Sequence, residues 1–185
     1  ITQDDKVLYS VSQDKSIIKW DLVNLKLAAK GTTTSTLKSI CLSKDEKIIY
    51  TGDNRPEATA KNSFCRILKW DVDALDKGAQ IVISNAHTNT IRNLILSESE
   101  KYIFSSSLDS QLKIWKIENS HLCADFFNPD EKQKRAFFLS PDARYCITGD
   151  TGGSVRFWNL DYLLNKELEK TVDTQMRKLD YYHVR

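Results

Sequence analysis

The chain has 185 residues, of which 27 are basic and 25 acidic, with a formal net charge of +2 and 41% hydrophobic residues. This is the profile of a soluble globular protein that is long enough to bury one sizeable core. The charges are interspersed, with no basic stripe of the kind that nucleic-acid binders carry, and no apolar run approaches the ~18–20 residues that span a bilayer. We therefore expect no membrane partner and no nucleic-acid partner.

The four cysteines, at positions 41, 65, 123 and 146, are too far apart for the close CxxC spacing of a zinc site. Each lies in an apolar, strand-like run, which favours buried, reduced thiols in a cytosolic protein. The sequence indicates no metal site and no cofactor. Because the first residue is Ile1, we expect the chain to begin inside a longer protein.

The tryptophans mark an internal repeat, because Trp20, Trp70, Trp115 and Trp158 are separated by 50, 45 and 43 residues. Each lies near the end of a similar phrase: SIIKWDL (16–22), RILKWDV (66–72), QLKIWKI (111–117) and SVRFWNL (154–160). A second apolar run ending in small residues precedes each phrase: 7–14, 48–53, 102–109 and 145–150. Self-similarity at this period indicates a repeat architecture.

The pattern within each repeat is that of β-strands. Apolar and polar residues alternate with period two in the tryptophan phrases, and Gly, Asp, Asn and Ser bound the runs. Further strands are predicted upstream of the last three pairs, at 37–43, 91–97 and 135–141, and after the first three tryptophan phrases, at 25–31, 79–84 and 121–127. Four short antiparallel strands make one propeller blade.

These phrases resemble the WD-repeat family over residues 1 to about 161, most clearly in AHTNTIRNLILSESEKYIFSSSLDSQLKIWKI (86–117). The resemblance implies an all-β fold, a partial WD-type propeller of about four blades, at about 1–31, 37–84, 91–127 and 135–161. Propellers have about 4–8 blades and this family usually has about seven, so we expect the closing half of a propeller, completed by the rest of its own propeller upstream.

The resemblance also implies a buried hydrogen-bond network of His87, Ser105 (or Ser107), Asp109 and Trp115. A buried indole N–H is only a donor and needs an acceptor. A catalytic triad of the first three residues is the alternative, and their place in the repeat framework favours the structural interpretation.

The other repeats depart from this pattern. The position of His87 is Thr33 in the second repeat and Asp130 in the fourth, and the position of Asp109 is Gly152 in the fourth. We therefore expect those blades to hold their tryptophan more by packing than by a full network.

Two irregular segments are candidates for partner contacts. The second repeat carries an insertion at 54–64, in which Arg55 and Lys61 would meet an acidic surface and Phe64 would fill a pocket. A solvated surface loop is the alternative there.

The second irregular segment is 162–185, where apolar residues at 164, 168, 172, 176 and 179 form a helical stripe. We therefore predict a C-terminal α-helix after the last blade, which either caps the propeller or begins a longer helical region. Tyr181 and Tyr182 at its end are candidate interface anchors. The missing outer strand of the fourth blade is predicted to come from residues upstream of Ile1.

With no catalytic motif, the sequence predicts a non-catalytic protein-interaction scaffold in a large assembly, located in the cytoplasm. The architecture alone suggests a ciliary, axonemal or cytoskeletal scaffold. The alternatives are a WD subunit of an RNA-processing or ribosome-assembly complex and the regulatory propeller of a larger enzyme, such as a ubiquitin-ligase adaptor.

Overall fold

The computed structural model describes residues 1–54, 64–126, 134–140, 142, 144–160 and 181–184. In these ranges, fifteen strands form four antiparallel sheets, and one 3-10 helix spans Leu75–Lys77. A search of these ranges finds no helix that is long and apolar enough to cross a membrane.

Each sheet is one blade, and its strands follow one another in chain order. Blade 1 contains β1 (Val7–Val11), β2 (Ser16–Asp21) and β3 (Lys26–Thr32). Blade 2 contains β4 (Leu37–Leu42), β5 (Ile48–Asp53), β6 (Cys65–Asp71) and β7 (Gln80–His87). Blade 3 contains β8 (Ile91–Leu96), β9 (Tyr102–Ser107), β10 (Leu112–Lys116) and β11 (His121–Phe126). Blade 4 contains β12 (Lys134–Leu139), β13 (Tyr145–Asp150), β14 (Val155–Asn159) and β15 (Tyr181–Val184).

The prediction of WD-type antiparallel blades is confirmed, because the strands lie at the predicted runs. Successive side chains of a strand point to opposite faces of the sheet. In β6 and β10 apolar residues lie on both faces, and neighbouring blades cover both. These strands are therefore buried along most of their length.

The outer edge of blade 4 differs from the prediction. β15 pairs antiparallel with β14, with Trp158 opposite Tyr181 and Phe157 opposite Tyr182. The prediction of a helix over 162–185 is therefore wrong for 181–184, and so is the prediction that a segment upstream of Ile1 supplies this strand. A YYHV run has high β-propensity, and the edge of β14 offers unpaired backbone groups that it satisfies. The helical stripe at 164–179 lies outside the described residues.

The core of the described residues consists of three clusters, each between two successive blades. Trp70 packs with Tyr9 and Ile17 of blade 1, and Trp115 packs with blade 2. Trp158 meets the Phe126 ring of blade 3 edge-on, with the ring centroids 5.2 Å apart. The repeated tryptophan therefore attaches each of these blades to the blade before it.

Candidate functional site

The structure brings the four side chains of the predicted network together. The Trp115 Nε1–H donates to Ser105 Oγ at 2.9 Å, and Ser105 Oγ lies 2.8 Å from His87 Nε2. On the other side of the imidazole, His87 Nδ1 lies 2.9 Å from Asp109 Oδ2. Of the two serines considered from the sequence, Ser105 occupies the central position.

Three elements position this network. His87 is the last residue of β7, Ser105 lies in β9 and Trp115 lies in β10, with Asp109 in the turn between β9 and β10. Because β7 is the outer strand of blade 2, the network joins blade 2 to blade 3. Hydrophobic packing alone is not directional, and these bonds add a defined geometry to the contact.

The protonation states follow from burial and from the contact between His87 and Asp109. Burial lowers the pKa of His87, although the Asp109 carboxylate opposes this shift. Burial raises the pKa of Asp109, but hydrogen bonds from His87 and from the backbone N–H groups of Gln111 and Thr88 outweigh it, so this pKa lies below its usual value. At neutral pH a neutral imidazole therefore faces an ionised carboxylate.

These states give every bond one direction. The carboxylate can only accept, so the His87 Nδ1 carries the proton and Nε2 accepts from the Ser105 hydroxyl. The Ser105 oxygen then accepts the Trp115 indole proton. Since His87 and Ser105 are both fully buried, the arrangement satisfies polar groups inside the core and does not present a serine nucleophile to solvent.

The bond from the tryptophan indole N–H to a hydroxyl group recurs in all four blades. The indole N–H donates to a hydroxyl in these pairs: Trp20 with Ser10 (2.8 Å), Trp70 with Thr51 (2.9 Å), Trp115 with Ser105 (2.9 Å) and Trp158 with Thr148 (2.9 Å). The other blades therefore keep this bond, and the expectation that packing holds their tryptophan more than a full network does stays a prediction. In blade 2, Trp70 pairs with Ile49, and Thr51 lies two residues further on the same face of the sheet.

Blade 2 carries a different polar network, which the sequence reasoning missed. The Asp53 carboxylate is fully buried and accepts from the Arg66 backbone N–H at 2.5 Å and from Arg66 Nε at 2.7 Å. The same guanidinium donates to Ser35 Oγ at 2.6 Å. Burial raises the pKa of Asp53, and the bonds to Arg66 oppose that shift. The signal in the sequence was an Asp that ends β5 and an Arg at the second position of β6. Blade 4 repeats both positions as Asp150 and Arg156, and Arg156 Nη1 donates to Asp150 Oδ2 at 3.1 Å.

The predicted partner contacts are only partly within the described structure. Phe64 directly precedes β6 and is 39% exposed, whereas Arg55 and Lys61 lie outside the described residues. Tyr181 and Tyr182 lie in β15. Contact of these residues with a partner stays a prediction. Among the described residues, no group of three or more His, Cys, Asp or Glu side chains is placed to hold a metal ion.

Comparison with known proteins agrees with this geometry. Residues 78–116 match the model of the family described as WD domain, G-beta repeat, and this stretch runs from the end of blade 2 through the blade 3 network. This stretch is similar to a WD repeat, and the four antiparallel sheets have the WD-type blade arrangement that the sequence predicts.

Three curated relatives are similar to the chain over longer stretches. The ribosome biogenesis protein YTM1 of Lodderomyces elongisporus is 32% identical over 117 residues, covering 62% of the chain and 22% of the relative. Protein tipD of Dictyostelium discoideum is 26% identical, covering 80% and 23%. Protein SOF1 of Saccharomyces cerevisiae is 21% identical, covering 95% and 33%. The chain thus spans between about a fifth and a third of the lengths of these relatives.

Proposed function

We propose that this chain is part of a non-catalytic scaffold that holds protein partners in a ribosome-assembly complex. The observation that carries the proposal is the 32% identity with a protein named for ribosome biogenesis, over 117 residues. The alternative stated from the sequence is thereby favoured over the ciliary or cytoskeletal interpretation, because none of the three reported relatives carries a ciliary or cytoskeletal name.

The blade structure supports a scaffold in physical terms. The polar groups of the blade 3 network are buried and bonded to one another, and so is the Asp53 carboxylate with Arg66. Such satisfied networks rigidify a core, and a rigid blade keeps the loops at its two ends in fixed positions. Those ends are surfaces on which a partner docks without a large entropic cost.

The proposed contacts of this chain are with proteins, although a ribosome-assembly complex also contains RNA. The 27 basic and 25 acidic residues leave little net charge for binding a phosphate backbone. The RNA of such a complex would therefore be held mainly by other subunits. The cytoplasmic location expected from the sequence stays a prediction.

Affinity purification of the intact, tagged protein tests the proposal, followed by sedimentation of the eluate with and without RNase. We expect co-sedimentation with precursor ribosomal particles and retention of the nearest protein partners after RNase treatment. Depletion of the protein is expected to increase unprocessed ribosomal RNA precursors. Exclusive recovery of tubulin-associated proteins, or reproducible enzymatic turnover by the purified protein, would contradict it.

A further inference from the structure

The innermost strands of blades 2, 3 and 4 each contain an irregularity at the same register position. The pairing with the next strand shifts between Leu37 and Ser39 in β4, between Ile91 and Asn93 in β8 and between Lys134 and Ala136 in β12. The residues left over in these three β-bulges are Lys38, Arg92 and Arg135. A bulge interrupts the regular alternation of a strand, and a basic residue occupies the bulge position in all three blades.

The bulge residues Lys38 and Arg92 adjoin a direct contact between blades 2 and 3. The Ser39 hydroxyl donates to the Ile91 backbone carbonyl at 3.1 Å, which joins the residues next to Lys38 and Arg92 in neighbouring blades. Gly52 permits this approach, because a Cβ there would lie 2.6 Å from Ile91 Cγ2. Arg135 occupies the equivalent place in β12, one residue after the pairing of Lys134 with Asp150.

The charges of Lys38 and Arg92 are not neutralised within the described part of the chain. Both side chains are half-buried, and neither has a hydrogen bond or ion pair with another described residue. The neighbouring carboxylate is already used, since Asp53 Oδ2 lies 2.7 Å from Arg66 Nε. Partly buried cations without a carboxylate partner among the described residues favour an anionic ligand, because the ligand compensates their lost hydration.

We propose that Lys38 and Arg92 form a receptor for a carboxylate-rich segment of a protein partner. This proposal rests on the proposed scaffold function and names the chemistry of one partner. An Arg guanidinium offers a fork of N–H donors that matches a carboxylate, and a Lys ammonium adds a second charge.

The arrangement favours an acidic peptide over RNA. The two basic positions lie on neighbouring innermost strands and do not extend as a stripe along the molecule. Single-stranded RNA is bound by a basic groove combined with aromatic side chains on which bases stack. Neither β4 nor β8 contains an aromatic residue.

Fluorescence anisotropy on the intact protein tests this receptor. The probe is a labelled ten-residue peptide of Asp and Glu, and the comparison probes are the Asn and Gln peptide of equal length and a ten-nucleotide oligouridylate. We expect the acidic peptide to bind best and to weaken as salt is raised. The K38A/R92A variant is expected to lose about tenfold or more in affinity.

A matched control removes two positive charges elsewhere. K26A/K30A lowers the net charge by the same amount on the exposed outer strand β3 and should change the affinity less than twofold. Thermal unfolding of each variant shows whether the fold is retained, and the charge-reversing K38E/R92E variant should abolish peptide binding. The proposed receptor would be contradicted if the unmodified protein bound the acidic peptide only weakly, or if K26A/K30A lost as much affinity as K38A/R92A. Tighter oligouridylate binding that is lost in K38A/R92A overturns it as well and identifies an RNA contact.

The outcome can be separated from that of the proposed function. If the protein sediments with precursor ribosomal particles but does not bind the acidic peptide, the receptor fails and the scaffold stands. If the peptide binds as expected but no such particle co-sediments, ribosome assembly fails and the receptor stands.

Discussion

The Glu100 carboxylate accepts a hydrogen bond from the backbone N–H of Lys44, with Oε1 2.5 Å from the nitrogen. Glu100 lies in the first turn of blade 3 and Lys44 in the first turn of blade 2. The same relationship recurs one blade earlier, where Glu46 Oε1 accepts from the Gln3 backbone N–H at 2.6 Å. Both glutamates have positive φ angles, 55° for Glu100 and 59° for Glu46, a conformation that costs an L-residue about 1–2 kcal/mol. A carboxylate bond between successive blades offsets this strain.

Replacement of Glu100 separates the bond from the strain. E100A keeps the strained backbone and loses the bond, so we expect a loss of about 1 kcal/mol in the free energy of unfolding. E100G loses the bond but relieves the strain, so it should lose less than E100A, and E100Q should remain close to the unmodified protein. Urea unfolding measures all three. Equal stability of E100A and the unmodified protein would show that the bond contributes nothing.

Removal of the Ser105 hydroxyl should be costly, because it leaves both the Trp115 N–H and the His87 Nε2 without a partner inside the core. We expect S105A to lower the free energy of unfolding by about 2–4 kcal/mol. S10A removes the equivalent hydroxyl from half-buried Trp20, where water can replace it, and should cost about 1 kcal/mol or less. Chemical denaturation compares them, and a cost for S10A as large as that for S105A would refute the burial argument.

Acidification should weaken the fold through His87. Its pKa is lowered in the folded state, so between pH 7 and pH 5 the unfolded chain binds a proton that the folded chain excludes. The free energy of unfolding therefore decreases as pH falls, by at most about 1.4 kcal/mol per pH unit for one proton. The raised pKa of Asp53 has the opposite effect, because it stabilises the folded state as pH falls. This effect is present in the unmodified protein and in H87Q alike. The test is the difference between the unmodified protein and H87Q in urea unfolding, and parallel pH profiles would exclude this role of His87.

Gly52 and Gly149 occupy equivalent positions in β5 and β13 but have different surroundings. A Cβ on Gly52 would lie 2.6 Å from Ile91 Cγ2 and would also collide with Ser39 Oγ, whereas a Cβ on Gly149 would lie 3.4 Å from Ala136 Cβ. We expect G52A to destabilise the fold by about 2–3 kcal/mol and G149A to change it by less than about 0.5 kcal/mol. Thermal unfolding checks both, and a small effect of G52A would show that blades 2 and 3 can separate slightly without cost.

G52A also bears on the proposed receptor, because Gly52 sets the approach of β8 to β4. A shift of these strands changes the separation of Lys38 and Arg92. Weaker binding of the acidic peptide by folded G52A, with normal binding by G149A, would be consistent with a receptor formed by two blades.

The blades and the blade 3 network could be predicted from the sequence, because the tryptophan phrases recur at similar spacings along the chain. Trp115, Asp109 and His87 were recognisable as members of one pattern before their geometry was known. Asp53 with Arg66, and Glu100 with Lys44, were not recognisable in the same way. Their residue types are common on surfaces, so their recurrence, as Asp150 with Arg156 and as Glu46 with Gln3, does not stand out in the sequence as the tryptophan phrases do.

The sequence by itself determined the blade pattern, since alternation and turn residues act over a few neighbouring positions of the chain. Only the tertiary structure decided which segment closes the edge of blade 4 and which polar groups meet between blades. The run 181–184 follows a stripe whose spacing predicts a helix but has a high β-propensity itself, and the open edge of β14 decides that it forms a strand. In the same way, Glu46 and Glu100 are ordinary turn residues until the packing of one blade on the next places a backbone N–H within reach of each carboxylate.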